Sequence, residues 1–345
     1  MRCTQSPDRE SDDSFPEGPE RMNRRRALRA LLGLGLGLST ARRASAQAKI
    51  PVIGLLDAGQ RLEWWAVFRK EIKELGYVEG QTVAFEERFA NGKFEQLAAL
   101  AQELVRRKVA VIVTSGTVTA AVTRDATRTI PIVMATGDDP VAGGLVKSLG
   151  RPGGNLTGVT SLNAQVMGKR FEQFREALPK IARLAVLWHR ENAASATQVR
   201  EIETTARPSK ITIQSVAVKT PDELPQAVAT IARERAGGVF VISGPSFFSE
   251  RQRLADLALK HRLPSMYSQS EYVDAGGLLS YGPSYPGLFR QAAHYVDKIL
   301  KGAHPGDLPI ERPTTFELVV NLKTARALGI TLPSQTLLRA SRSIQ

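Results

Sequence analysis

From Ile50 onward, short apolar runs rich in β-branched residues alternate with amphipathic helical stretches, and the same order occurs twice. Near-continuous apolar strands belong to parallel sheets covered on both faces, so this alternation restricts the chain to the α/β class. In the first round, Ile50–Leu56, Thr82–Arg88, Val109–Thr114 and Ile130–Ala135 read as strands, separated by helices over Leu62–Leu75, Phe94–Arg107 and Val118–Ala126. The second round predicts strands over Arg183–Trp188, Ile211–Val218, Gly238–Ile242 and Leu263–Tyr267. Its helices are expected over Ala193–Ala206, Pro221–Arg235 and Glu250–His261. Each round describes one doubly wound lobe.

The stretch from Gly150 to Thr160 is turn-rich and then extended, which suits a segment crossing between lobes. After the second round come the extended run Gly277–Gly282, a helix over Gly287–Lys301, a strand over Phe316–Val320 and a helix over Leu322–Leu328. These are too few for a third domain. They are expected to complete the first two lobes, so that two doubly wound parallel-sheet lobes are joined by three crossovers.

The N-terminus has a different character. Met1–Arg21 is polar and acidic and reads as a disordered or mis-assigned extension. Met22–Ala48 then shows Arg24-Arg25-Arg26, a short apolar run from Ala30 to Leu38, and Ala44-Ser45-Ala46 ahead of Ala48. A charged segment, an apolar segment and an A-x-A site are the parts of a signal peptide, cleaved near Ala46 or Ala48. The apolar run is about half the ~20 residues a spanning helix needs. Twin-arginine export and the general secretory route are both compatible with it. The expected location is the periplasm.

Composition narrows the chemistry. Cys3 is the one cysteine among 345 residues, so neither a disulfide framework nor a cysteine zinc site is available. The four histidines, His189, His261, His294 and His304, lack metal-ligand spacing. No G-x-S-x-G, H-E-x-x-H, Walker or S-x-x-K motif is present, so the expectation is no enzyme, no metal and no cofactor. The net charge of +13 falls to +10 without Met1–Ala48. Its positive residues lie on helix faces among acids without interleaved aromatics, so no nucleic-acid partner is expected.

Ligands of open α/β sheets bind beyond the carboxyl ends of the strands. In the first lobe those loops hold Asp57, then Ser115, Gly116 and Thr117, then Asp138 and Asp139. In the second they hold Asn192, then Ser243 and Ser246, then Tyr267, and Tyr281 lies on the later extended run. Small hydroxylated loops opening helices suit carboxylates and other anions, and the aspartates suit an ammonium or hydroxyls. Ser115 and Thr117 read equally as helix caps, and Asp139-Pro140 as turn chemistry. Trp64 and Trp65 are adjacent, so only one is expected to face the core, with the other an aromatic wall or a surface residue. His189 reads as a loop residue.

Several strings point to a family. Ile50-Pro51-Val52-Ile53-Gly54, Glu74-Leu75-Gly76-Tyr77, Asp139-Pro140-Val141, the run Arg151-Pro152-Gly153-Gly154-Asn155-Leu156-Thr157-Gly158-Val159, Gly276–Gly282 and the run Phe316–Ala325 resemble the ABC transporter substrate-binding protein family that includes the tryptophan and tyrosine binders. The resemblance covers Ile50 to Ala340. It implies a type I periplasmic-binding-protein fold, usually monomeric, closing on a small molecule and docking on an ABC permease at the inner membrane. A ligand-sensing subunit presenting its state to a signalling receptor is the alternative. Asp57-Ala58-Gly59 and His189–Asn192 depart from the family's usual loops, so no member's specificity carries over. The expected organisation is 49–160 plus about 281–312 as lobe 1 and 161–280 plus about 313–335 as lobe 2, with 336–345 as a tail.

Overall fold

The computed structural model describes residues 50–345 apart from Ser243, and leaves the side chains of Ala193 and Ala194 undescribed. The expected N-terminal extension, the expected signal peptide and Ser243 therefore lie outside the described residues. The first sheet is parallel, in the order β2-β1-β3-β4-β5. Its strands are β1 (Val52–Asp57), β2 (Ala84–Phe89), β3 (Val111–Ser115), β4 (Ile132–Thr136) and β5 (Leu156–Gly158). Every residue of β3 and β4 is buried, as expected of central parallel strands with helices on both faces. The helices between them are α1 (Leu62–Glu74), α2 (Leu97–Arg106) and α3 (Thr117–Ala126). In α2 the buried residues Leu97, Ala101 and Leu104 form one stripe against the sheet.

The second sheet has the order β12-β11-β10-β9-β8-β6-β7. Its strands are β6 (Arg183–His189), β7 (Thr212–Val218), β8 (Val239–Val241), β9 (Ser265–Tyr267), β10 (Leu279–Gly282), β11 (Glu317–Asn321) and β12 (Arg342–Ile344). All pairings are parallel except β10 with β11. The helices of this half are α4 (Met167–Ala177), α5 (Ala193–Ala206), α6 (Leu224–Arg233), α7 (Pro245–Ser249), α8 (Arg251–Lys260) and α9 (Ser270–Asp274), followed later by α11 (Leu322–Leu328) and α12 (Ser334–Arg339). Between them in sequence comes α10 (Tyr285–Leu300).

The chain leaves the first sheet after β5 and builds the second through β10. It then returns: α10 packs on α1, β3 and β4. Glu311 bridges Val159 beside the first sheet before β11 resumes the second. These are three crossings between two parallel-sheet lobes, which is the type I periplasmic-binding architecture. Residues 336–345 differ from the expected tail, because β12 pairs in parallel with β11, Val319 opposite Arg342.

Trp64 and Trp65 also differ from expectation, since both are buried, at 0% and 1% exposure. Helix α1 is covered on two sides. Trp65 packs on Phe68 and Phe289, whereas Trp64 meets Phe248 of the second lobe and stacks on Tyr285 at 4.8 Å.

Candidate functional site

Asp57 ends β1 fully buried, and its carboxylate accepts hydrogen bonds from the Gly59 N–H at 2.9 Å, Trp65 Nε1 at 2.9 Å and Arg61 Nε at 3.0 Å. Arg61 Nη2 adds a further bond to it. Its acceptor positions are thus occupied by the protein. Expected to face a ligand, Asp57 instead holds Arg61, because four residues later the guanidinium comes back over the strand end. Arg61 Nη2 also reaches the Ser115 carbonyl at 3.2 Å, while Nη1 has no acceptor among the described residues. Arg61 is 5% exposed and lines a cavity between the lobes.

Beside Arg61 is the start of α3. Gly116 sits at φ 103°, a left-handed conformation that glycine adopts without a Cβ penalty, and turns β3 sharply into the helix. The N–H groups of Thr117, Val118 and Thr119 have no acceptor among the described residues, as the first turn of a helix dictates. Thr119 Oγ1 donates to the Ser115 carbonyl at 2.6 Å, so it does not cap them. Ser115 Oγ is buried without a hydrogen-bond partner beside them. Aligned free donors, the positive end of the helix and an unengaged guanidinium nitrogen make this wall a receiver for a carboxylate.

Asp138 supplies the opposite charge. Its carboxylate accepts from the Ala164 N–H at 3.0 Å, and its own N–H donates to Thr117 Oγ1 at 2.8 Å. Burial raises its pKa, opposed by the Ala164 bond and by the Arg170 guanidinium. Arg170, on α4, is 1% exposed. It donates from Nε to the Tyr281 carbonyl at 2.6 Å and from Nη2 to Asn163 Oδ1 at 3.1 Å. Asn163 Nδ2 in turn donates to the Tyr285 hydroxyl at 2.7 Å. Arg170 thereby ties together the first two crossovers, and burial lowers its pKa to about 10.

From the second lobe, Asn192, Gln198, Pro245 and Gln269 close the cavity, and Gln269 Oε1 is buried without a hydrogen-bond partner. The lobes touch around it. Gly59 packs against Pro245, Phe94 against His189 with ring centres 5.6 Å apart, and Trp64 Nε1 donates to Glu271 Oε1 at 2.6 Å. Glu63 pairs with Arg251 at 2.9 Å. The cavity, which is partly open to solvent, has a volume of about 80 Å³.

The structure brings Ser115, Gly116, Thr117, Asp138 and Asn192 together on this cavity. Ser243 lies outside the described residues, and the other expected residues are placed elsewhere. Asp139 accepts from the Val141 and Ala142 N–H groups and from Gln165, which is turn chemistry. Ser246 lies in a separate groove near Gly92. Tyr267 is stacked on Tyr272 inside the core at 4.5 Å. The Tyr281 ring stacks on Phe316, and its backbone carbonyl serves Arg170. His189 is buried against Phe94 and Phe247. Arg61, Asn163, Gln269 and Tyr285 line the cavity without having been expected there. Among the described residues no group of three His, Cys, Asp or Glu could hold a metal ion.

Residues 49–344 match the family described as ABC transporter substrate binding protein. A curated relative from Clostridioides difficile (strain R20291), described as a tyrosine-binding protein, is 26% identical over 266 residues, covering 76% of this chain and 75% of its own. The crystal structure of a conserved domain protein from Vibrio cholerae superposes with a TM-score of 0.80 at 27% identity, covering 86% of this chain and all of that one. An ABC domain from Streptococcus pneumonia, solved in complex with L-Trp, gives a TM-score of 0.78 at 26% identity over 85% of this chain and 99% of its own.

Proposed function

Because the chain belongs to the ABC transporter substrate binding protein family, we propose that it captures a free amino acid between its lobes and delivers it to an ABC permease at the inner membrane. The observation that carries this reading is the pairing of opposite charges on one small cavity. The α3 N-terminus, Ser115 and Arg61 receive the α-carboxylate, and Asp138 receives the α-ammonium. Asn192, Gln198 and Gln269 close over the ligand from the second lobe. The L-Trp complex and the tyrosine-binding protein support an amino acid over other zwitterions of this size.

Capture works by hinge closure about the three crossovers. Contacts such as Trp64 with Glu271 form only when the lobes meet, and ligand groups that bond to both lobes add to them. Export to the periplasm rests on the signal pattern of Met22–Ala48. Among the described residues no helix is long and apolar enough to cross a membrane.

Thermal unfolding with the twenty L-amino acids tests the reading. A ligand at 100 times its Kd stabilises by about 2.7 kcal/mol, which raises Tm by roughly 4–5 °C for a protein of this size. A rise with one or a few amino acids is expected. No rise with any of them contradicts the reading.

A further inference from the structure

At the end of the second lobe away from the cavity, the fold gathers positive charge that it does not neutralise. Strands β6, β7, β8 and β9 all begin there, side by side in the order β9-β8-β6-β7. At the usual strand spacing their leading residues form a row about 14 Å wide. The segment entering β6 (178–183) brings Lys180 and Arg183, and the one entering β7 (207–211) brings Arg207 and Lys210. The segment entering β8 (233–238) adds Arg233 and Arg235, and the one entering β9 (260–264) adds Lys260 and Arg262. All eight are exposed, and Glu234 is the one acid in these segments. Expected on helix faces among acids, these cations instead stand together in four neighbouring loops.

None of the eight side chains makes an ion pair or a hydrogen bond among the described residues. Elsewhere in this lobe Lys169 pairs with Glu172, Lys219 with Glu191, Arg253 with Glu250 and Arg342 with Asp274. Glu176, in the last turn of α4, is taken by Arg339. A helix dipole favours a cation in the last turn, which accounts for Arg233 and Lys260. The turns that follow go further. Lys210, Arg235 and Arg262 stand in left-handed backbone at φ 60°, 57° and 55°, where glycine is the usual residue and a side chain costs energy. Three separate turns thus carry a cation where folding alone favours none.

We propose that this row docks the protein on an anionic phospholipid surface, its lysines and arginines meeting the phosphate headgroups. The four segments contain no Phe, Tyr or Trp on which nucleic-acid bases could stack. Long-stemmed cations spread along a sheet end suit a plane of mobile headgroups. Asn192, Pro245 and Gln269 follow the carboxyl ends of β6, β8 and β9, so the cavity lies at the other end of the same strands and stays clear of the surface.

Sedimentation of the full protein with vesicles tests this, using phosphatidylcholine alone and phosphatidylcholine mixed with an equal part of phosphatidylglycerol. Binding is expected to the anionic vesicles only, and to weaken at least ~10-fold as salt rises from about 0.1 M to about 1 M. The triple variant Lys210→Gly, Arg235→Gly, Arg262→Gly removes three charges while installing the residue these turns favour, so its fold is not at risk. Each Lys or Arg at such a surface contributes about 5-fold, so this variant is expected to bind at least ~30-fold more weakly. Lys70→Gln, Arg107→Gln and Arg128→Gln together remove ion-paired cations of the first lobe and are expected to leave binding within about 3-fold. The basic run Arg24-Arg25-Arg26 is common to all three proteins and cannot produce the difference. Equal binding to both vesicles, equal loss in the two variants, or no loss in the glycine variant overturns the inference. So does tighter binding to single-stranded DNA than to the anionic vesicles, which assigns the row to nucleic acid. None of these outcomes bears on what the cleft holds.

Discussion

Replacing Arg170 by alanine is expected to lower stability by about 3–5 kcal/mol, the usual cost of breaking a buried charged network from one side. Three losses combine. The Tyr281 carbonyl and Asn163 Oδ1 lose charge-assisted donors inside the protein, and the side chain leaves a void in fully buried surroundings. Asp138 also loses the cation that partly offsets its burial. Arg170→Met retains much of the volume but supplies no donor, so it is expected to recover only a minor part of the loss. The effect carries a pH signature. Without Arg170 the folded-state pKa of Asp138 rises further above its unfolded value, so folding takes up a proton as pH falls. The variant's deficit should therefore be smaller at pH 5 than at pH 7.5. Chemical denaturation at both pH values reads this directly; a deficit that does not change with pH separates Arg170 from Asp138.

Arg61→Ala is expected to act on stability and on ligand affinity. It leaves the fully buried Asp57 with two neutral donors, the Gly59 N–H and Trp65 Nε1, and no cation. A buried carboxylate stripped of its partner costs about 3–5 kcal/mol. Affinity falls for a separate reason, because a hydrogen bond to a charged group contributes about 1.5–3 kcal/mol, or roughly 10- to 150-fold. Titration at a temperature where the variant is folded separates the two. Arg61→Lys is not expected to rescue either one, since a lysine ammonium cannot reproduce the fork that spans both Asp57 oxygens and the Ser115 carbonyl. Unchanged affinity in Arg61→Ala removes the guanidinium from the ligand wall.

The two rounds of strand and helix are legible because central parallel strands are apolar throughout, as in β3 and β4. Helix α4 is hidden, although Met167, Phe171, Phe174 and Ala177 keep helical spacing. Arg170 and Gln173 are buried among them and break the contrast between apolar and polar faces. Strand β12 reads Arg342-Ser343-Ile344 at a sheet edge with its first two residues exposed, so no apolar pattern marks it. The same logic divides the site. Residues that follow a strand's carboxyl end, such as Ser115 and Asp138, are placed by topology and can be read from the chain. Arg61 reaches the cavity only through its pairing with Asp57. Asn163 and Tyr285 arrive on crossovers, whose position depends on how the lobes pack, and no local pattern encodes that.

On the proposed reading, Asp138 and Arg61 also account for how a chain of strongly positive net charge would hold a zwitterion. The cavity has its own balance, with Asp57 matching Arg61 and Asp138 facing Arg170, while the remaining surface charge lies outside it. The proposed reading therefore makes ligand selection turn on the two ends of the amino acid's head group. The most direct test titrates the protein with its tightest amino-acid ligand, then with that ligand's α-carboxamide and its N-acetyl derivative. The free amino acid should bind, with each derivative at least ~10-fold weaker because one charged anchor is lost. Equal binding of either derivative would contradict the assignment of the two walls.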